Sequence, residues 1–133
     1  MADAVTSQTI QDGEKTAIMK FTNVSDGTGE SAVKKVHVSA LTTNSAGESC
    51  TSVSVARIYW ATRGMGVNLE FEATSNVLLT GLPSDSTGDE YYDLFTGIPN
   101  NAGSGVTGDI DFTTVGHSSG DTYSIILVLN KNY

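Results

Sequence analysis

Apolar and polar residues alternate along much of this chain, which is the pattern of strands that bury one face. The clearest case lies in the last quarter of the sequence, where apolar residues take alternate positions on either side of the turn-forming segment 116–121: Ile110 and Phe112 before it, then Tyr123, Ile125, Leu127 and Leu129. Glycine, serine and aspartate dominate that segment and favour a turn. The pattern therefore predicts a β-hairpin in which each strand presents one apolar face.

Alternation of this kind recurs in seven segments, separated by stretches rich in glycine, serine, asparagine and aspartate. They are 14–24, 32–40, 53–62, 66–73, 76–82, 109–115 and 122–131. An apolar period of 3.6 residues does not persist anywhere, so at most one short helix is expected, with 88–95 as the candidate segment. We predict an all-β, single-domain antiparallel β-sandwich over residues 1–133, jelly-roll or immunoglobulin-like, with seven to eight strands.

The first eleven residues precede the first predicted sandwich strand and form a candidate extended arm, 1–11. A segment of this kind can add a strand to the sheet edge of a neighbouring subunit or of another protein. Within it, Val5, Thr9 and Ile10 are candidate partner-binding residues.

Charge narrows the classes of partner. The chain has 15 acidic and 7 basic residues, a net charge of −8. Such a surface is repelled by phosphate backbones and by anionic membranes, so we expect neither nucleic acid nor membrane as a partner. Cys50 is the single cysteine, which rules out an intramolecular disulfide and fits a reducing cell interior. The opening residues have no basic or apolar run, and we expect no secretion signal.

Two glycine-rich motifs match catalytic or cofactor-binding patterns in their residues but not in the secondary structure expected around them. Segment 116–120 reads G-x-S-x-G, but strand sequence follows it instead of a helix, and no later histidine is available as a base. Segment 103–108 reads G-x-G-x-x-G, but it is followed by a strand where a nucleotide-binding motif requires a helix. We therefore predict no enzyme, no catalytic residues and no cofactor.

Several carboxylates lie in or beside the predicted turns and are candidate calcium ligands, which must converge as six to eight oxygen atoms. They are Asp26, Glu30, Asp85, Asp89, Asp109, Asp111 and Asp121. Their spacing matches no calcium-binding loop, so solvated turn carboxylates are the expectation and no metal site is predicted.

Aromatic residues are the remaining candidates for binding. In the pair Tyr59 and Trp60, alternation sends one ring toward the core and the other toward the opposite face. Trp60 is a candidate interface anchor, because tryptophan is enriched where binding energy concentrates. Tyr91 and Tyr92 are candidate stacking rings for a sugar, although capping of the core is the simpler interpretation of both.

Both ends of the chain resemble small virion structural proteins of tailed bacteriophages, particularly those of marine and cyanobacterial hosts. The residues that carry this resemblance are MADAVTSQTI at 1–10, FTNVSDGTGESAV at 21–33, NNAGSG at 100–105, TGD at 107–109 and TVGHSSGDTY at 114–123. The middle of the chain, 42–95, matches only in general pattern.

The resemblance implies a virion component made in the host cytoplasm. An acidic β-sandwich without fibre repeats suits a capsid decoration or cement protein, on the head surface, whose partners are the major capsid protein and neighbouring copies of itself. The alternative is a component associated with the tail, baseplate or fibre that binds carbohydrate through Trp60, Tyr91 and Tyr92.

Overall fold

The structure, a computed structural model, describes residues 4–91 and 97–133. This part of the chain forms nine strands and a single 3₁₀ turn at Val38–Ala40. The strands are β1 (Ala4–Asp12), β2 (Thr16–Val24), β3 (Val33–Val36), β4 (Ser52–Arg63), β5 (Gly66–Phe71), β6 (Val77–Leu82), β7 (Thr87–Tyr91), β8 (Ile110–Val115) and β9 (Thr122–Asn132). The described residues contain no helix long and apolar enough to cross a membrane.

The strands form two sheets, and every pairing between them is antiparallel. Sheet A has the order β1-β2-β9-β4-β7, and sheet B has the order β3-β8-β5-β6. Without β1, each sheet has four strands in the order of a jelly roll. The predicted all-β antiparallel sandwich is confirmed, with nine strands in place of seven or eight because segments 4–12 and 87–91 are also strands.

The core lies between the sheets and is built from alternate residues of the strands, as the periodicity predicts. Phe21 of β2 meets Phe112 of β8 edge to face with ring centroids 5.1 Å apart, and Phe112 meets Tyr123 of β9 at 5.9 Å. All three rings are buried. Each buried side chain of this size contributes about 1.5–3 kcal/mol, so the aromatic contacts hold the two sheets face to face.

The predicted hairpin of the last two strands is wrong. β8 lies between β3 and β5 in sheet B, whereas β9 lies between β2 and β4 in sheet A. Segment 116–121 is a turn, as expected, but it carries the chain from one sheet to the other. The physical reason is that alternation fixes only which face of each strand is apolar and not which strand lies beside it; here the two apolar faces meet across the core, with Phe112 against Tyr123.

Segment 1–11, expected as an extended arm, mostly belongs to β1, which pairs with β2 from Ala4 opposite Val24 to Asp12 opposite Ala17. The arm is therefore the edge strand of this chain's own sheet A. Residues 5–11 are all exposed, because sheet B does not extend beneath them.

Two other segments also differ from the sequence prediction. β7 forms where a turn and a candidate short helix were expected, because the free edge of β4 offers backbone hydrogen-bonding groups that a strand satisfies. The rest of that candidate helix, 92–95, lies outside the described residues. The expected strand 32–40 ends as β3 at Val36, because the Val38 N–H donates to Asp109 Oδ1 (2.8 Å) at the start of the 3₁₀ turn.

The turn between β1 and β2 is fixed by a buried lysine at the far end of the chain. Lys131 Nζ has no exposed side-chain surface and lies 2.8 Å from Asp12 Oδ1, from the Gly13 carbonyl oxygen and from the Thr42 carbonyl oxygen. Hydrogen bonds from Lys131 and Thr42 lower the pKa of Asp12 in spite of its burial. One ammonium group thus joins the β1–β2 turn, β9 and the loop after the 3₁₀ turn.

Candidate functional site

The structure separates the residues that the sequence singled out. Ile10 and Tyr91 lie on the solvent-facing side of sheet A and are 50% and 56% exposed. Val5 and Thr9 are exposed on β1, opposite Asn23 and Met19. These four residues all belong to the two edge strands of sheet A. Tyr92 lies outside the described residues.

Trp60 faces inward at the margin of the core. Its strand partners are Gly88 on β7 and the buried Ile125 on β9, and its indole N–H donates to Ser86 Oγ (2.9 Å). A side chain at Gly88 would collide with the indole ring, so the ring covers the glycine backbone. Tyr59 lies on the opposite face and is 50% exposed, which confirms the prediction that the two rings of the pair point to opposite sides.

The solvent-facing side of sheet A carries a band of apolar side chains that crosses all five strands, which we call the outer strip. Its members, in strand order, are Ile10 of β1, Ile18 of β2, Ile126 and Val128 of β9, Tyr59 of β4 and Tyr91 of β7. The registers place them side by side. Ile18 lies opposite Val128, and Tyr59 lies opposite Ile126. Ile10 precedes Gln11, which is the residue opposite Ile18. All members of the strip except Tyr91 line, together with Arg57, a shallow depression of about 340 Å³.

One ion pair lies between the two tyrosines of the outer strip. Arg57 of β4 holds the Asp89 carboxylate of β7 with two nitrogens, Nε donating to Oδ1 at 2.7 Å and Nη2 donating to Oδ2. Hydrogen bonding to Asp89 raises the pKa of Arg57, and the same bonds lower the pKa of Asp89. The Arg57 guanidinium also lies over the Tyr91 ring, 4.1 Å from its centroid. These contacts fix the polar end of the strip.

Sequence reasoning missed Ile18, Ile126, Val128, Tyr59 and Arg57 as members of a surface. A signal was present in β9, where 125–129 is apolar at every position although one face of a half-buried strand should be polar. Leu127 faces the core, so Ile126 and Val128 must face outward. The register that places Ile18 and Tyr59 beside them involves strands distant in the sequence and leaves no local signal.

The two motifs that resembled catalytic sequences lie in loops. In segment 116–120, the Ser118 N–H donates to Asp121 Oδ2 (2.7 Å), and His117 Nδ1 shares a hydrogen bond with Thr114 Oγ1 (3.2 Å). Segment 103–108 runs outside the named strands between Ile98 and β8. Both motifs serve as connections between strands.

The turn carboxylates that the sequence offers as candidate metal ligands make hydrogen bonds and ion pairs within the chain. Asp26 and Asp85 accept backbone N–H groups of Thr28 and Gly64, and Glu30 binds the buried Lys35 ammonium. On the outer side of sheet B, Lys34 Nζ lies 2.8 Å from Asp109 Oδ2 and 3.3 Å from Glu72 Oε2. Among residues 4–91 and 97–133, no group of three or more histidine, cysteine, aspartate or glutamate side chains is arranged to hold a metal ion.

No protein-family model matches the chain, and no curated protein matches it. Among solved structures, it is similar to a family 29 carbohydrate-binding module, at 11% identity and a TM-score of 0.43, over 96% of this chain and 89% of that one. It is similar in the same way to two point mutants of CBM29-2, from work on ligand recognition by that family, at 11% identity and TM-scores of 0.42 over 86% and 93% of their chains. These similarities concern the β-sandwich fold alone.

Proposed function

We propose that this protein is a non-catalytic structural component of a phage virion that docks the outer strip onto a protein surface of the head. The observation that carries the proposal is the outer strip itself. A band of apolar side chains crosses a solvent-facing sheet in a chain of net charge −8. Contiguous apolar surface of this kind marks an interaction site. The resemblance of both chain ends to virion proteins supports a virion as the assembly that contains the partner.

The composition of the outer strip favours a protein surface as its partner. Ile10, Ile18, Ile126 and Val128 make up most of the strip, and aliphatic side chains offer neither a flat ring nor a hydrogen bond. They match the apolar centre of a protein interface, where tyrosine and arginine are enriched as well. Tyr59 supplies a tyrosine within the strip, and Arg57 supplies an arginine at its polar end.

The net charge of the chain also indicates the charge expected on the partner surface. A module of net charge −8 approaches a basic surface fastest and is repelled by an acidic one. We therefore expect the docking area on the head to be apolar at its centre and positively charged at its rim. A capsid lattice that repeats this area many times would hold the module through many weak contacts.

Binding of purified protein to heads of the phage that encodes it tests the proposal. Ile126→Ser and Tyr59→Ser should each reduce occupancy on the heads by about tenfold, because each removes apolar surface at the centre of the contact. Val115→Ser is the matched control, since Val115 is 49% exposed on sheet B. Equal binding of the strip variants and wild type, or cryo-electron microscopy without density for this protein on the head, would overturn the proposal.

A second candidate function, carbohydrate binding by a tail, baseplate or fibre component, is favoured by one observation. The Tyr59 and Tyr91 rings are both at least half exposed on one face, with the polar groups of Arg57 and Asp89 between them. Rings combined with converging polar groups can bind a sugar. Saturable binding on a glycan array that Tyr59→Ala and Tyr91→Ala both abolish would establish this function in place of head docking.

A further inference from the structure

The carboxylate of Glu30 lies between an amine and a carboxamide in the interior of the sandwich. Its Oε2 is 2.5 Å from Lys35 Nζ, and its Oε1 accepts a hydrogen bond from Asn23 Nδ2 at 3.0 Å. The side chains of Lys35 and Glu30 are 4% and 5% exposed, and Asn23 is 1% exposed. One carboxylate therefore holds the two nitrogen atoms beside each other where water is largely excluded.

The backbone fixes all three side chains in this place. Asn23 is a core-facing residue of β2 in sheet A. The Glu30 N–H donates to Thr114 Oγ1 (2.8 Å), and the Thr114 N–H donates to the Glu30 carbonyl oxygen (3.0 Å), so Glu30 is anchored to β8. Lys35 lies at the irregularity in the register of β3 with β8, and a bulge of this kind redirects a side chain. Three separate segments therefore meet at one carboxylate.

These three groups are the parts that an amide exchange reaction requires. An amine is a nucleophile once it has lost a proton, a carboxamide offers a carbon that the amine can attack, and a carboxyl group in contact with both can carry the proton. Folding has already brought the groups together, so the reaction takes place within one molecule at a high effective concentration. The Tyr123 hydroxyl, which donates to Glu30 Oε1 at 2.5 Å, holds the carboxyl group in this orientation.

We infer that Lys35 and Asn23 join in a covalent isopeptide bond, with Glu30 as the proton carrier. A proton passes from Lys35 Nζ to Glu30 Oε2, and the electron pair left on Nζ attacks Asn23 Cγ to form the new C–N bond. The bond between Cγ and Nδ2 breaks, and its electron pair leaves with Nδ2. Nζ gives up two protons in all. One goes to Nδ2, which departs as ammonia, and the other stays on Glu30, so no further reactant is needed.

The contacts of Glu30 suit both of its roles in this reaction. Oε2 lies at the nitrogen that loses protons, and Oε1 lies at the nitrogen that gains one and leaves. The reaction also replaces a buried ion pair by a neutral amide and a neutral carboxyl group. No buried charge is then left without a counter-ion, which would be costly in this interior.

Lys131, the other buried lysine of the described residues, lacks this arrangement. Its Nζ faces Asp12 Oδ1 and two backbone carbonyl oxygens, and hydrogen bonds from Lys131 and Thr42 hold the pKa of Asp12 below its usual value. An ionised carboxylate is a poor acceptor for an amine. We therefore expect a link at Lys35 and none at Lys131.

The bond would tie β2 of sheet A to β3 of sheet B and close segment 25–32 into a covalent loop. β3 is a four-residue edge strand, so the link would secure one of the shortest elements of the sandwich. This inference goes beyond the proposed function, because it concerns the interior and not the outer strip. It can be tested with the isolated protein.

Intact mass spectrometry of the purified, folded chain tests the inference. We expect a mass about 17 Da below that of the 13.9 kDa sequence, because one ammonia is lost. Trypsin does not cleave after an acylated lysine, so peptide 21–34 should appear covalently joined to a peptide that begins at residue 35. Folded wild-type protein that keeps the full sequence mass after prolonged incubation would overturn the inference.

Substitutions assign the bond to its residues. Lys35→Arg and Glu30→Gln should both restore the full mass, because the first removes the amine and the second removes the proton carrier. Lys34→Arg is the matched control and should keep the deficit, since Lys34 faces Asp109 and Glu72 on the outer side of sheet B. Circular dichroism checks each fold, and the joined peptide of wild type decides alone if a variant does not fold. A deficit that persists in Lys35→Arg, or one that disappears in Lys34→Arg, would overturn the assignment.

Discussion

Arg57 and Tyr91 lie directly opposite each other on β4 and β7, and the Arg57 guanidinium carbon is 4.1 Å from the centroid of the Tyr91 ring. None of the residues of β7, Thr87–Tyr91, is buried. This edge strand is therefore held by its backbone ladder to β4 together with the Arg57 contacts and the Trp60 ring over Gly88. Cation–π contacts of this kind contribute modestly at exposed sites, and their main effect here is to order β7.

Replacing Arg57 by alanine should loosen β7 without unfolding the sandwich. The substitution removes both the Asp89 ion pair and the contact with Tyr91, so the amides of 87–91 should exchange with solvent about threefold faster. Hydrogen exchange followed by mass spectrometry measures this. Arg63→Ala, at the exposed end of β4, should leave exchange in β7 unchanged, and equal exchange in both variants would contradict the role given to Arg57.

Replacing Lys131 by methionine should destabilise the whole domain. The buried ammonium binds Asp12, Gly13 and Thr42, and its removal leaves a carboxylate and two carbonyl groups without their donor. Breaking a buried pair from one side costs about 3–5 kcal/mol of unfolding free energy. Urea denaturation measures the loss, and Lys15→Met at an exposed position is the control. Similar unfolding free energies in the two variants would refute this prediction.

The Tyr123 hydroxyl donates to Glu30 Oε1 (2.5 Å), and the same carboxylate binds Lys35 Nζ (2.5 Å) and the Asn23 amide (3.0 Å). Tyr123→Phe keeps the ring contacts in the core and removes one donor from a buried carboxylate. We expect a loss of about 1–3 kcal/mol in the free energy of unfolding. Thermal and urea denaturation should show no such loss for Tyr59→Phe, which alters an exposed ring.

Asp111 makes stability depend on pH in an unusual direction. Burial raises the pKa of this carboxyl to about 6, although Asn76 Nδ2 donates to its Oδ2 at 3.0 Å. Its Oδ1 has no hydrogen-bond partner among the described residues. The folded protein therefore binds a proton at Asp111 more tightly than the unfolded chain does, and this group adds stability as the pH falls from about 6 to about 4.

Asp111→Asn should remove this dependence. The variant should have a higher unfolding free energy than wild type at pH 7.5, and the difference should be clearly smaller at pH 4.5, because Asp111 of folded wild type is then protonated whereas the amide is neutral at both pH values. Urea denaturation at the two pH values provides the comparison, with Glu90→Gln at an exposed position of β7 as the control. A variant that is less stable than wild type at pH 7.5 would show that the ionised carboxylate is stabilising.

Local alternation in the sequence determined seven of the nine strands of the described residues and much of the core. Tyr123, Ile125, Leu127 and Leu129 all face inward, as the period of two requires, and the turn segments between strands follow from glycine, serine and aspartate. Alternation depends only on the geometry of a single strand, so it can be read without knowledge of the partner strands.

Only the tertiary structure decided which strands became neighbours. β8 and β9 adjoin in sequence but lie in different sheets, and β9 pairs with β2 and β4, both far away along the chain. The outer strip and the Lys131 cluster both follow from these long-range pairings. Pairing is settled by which apolar faces bury the most surface across the common core, and that quantity depends on all strands at once.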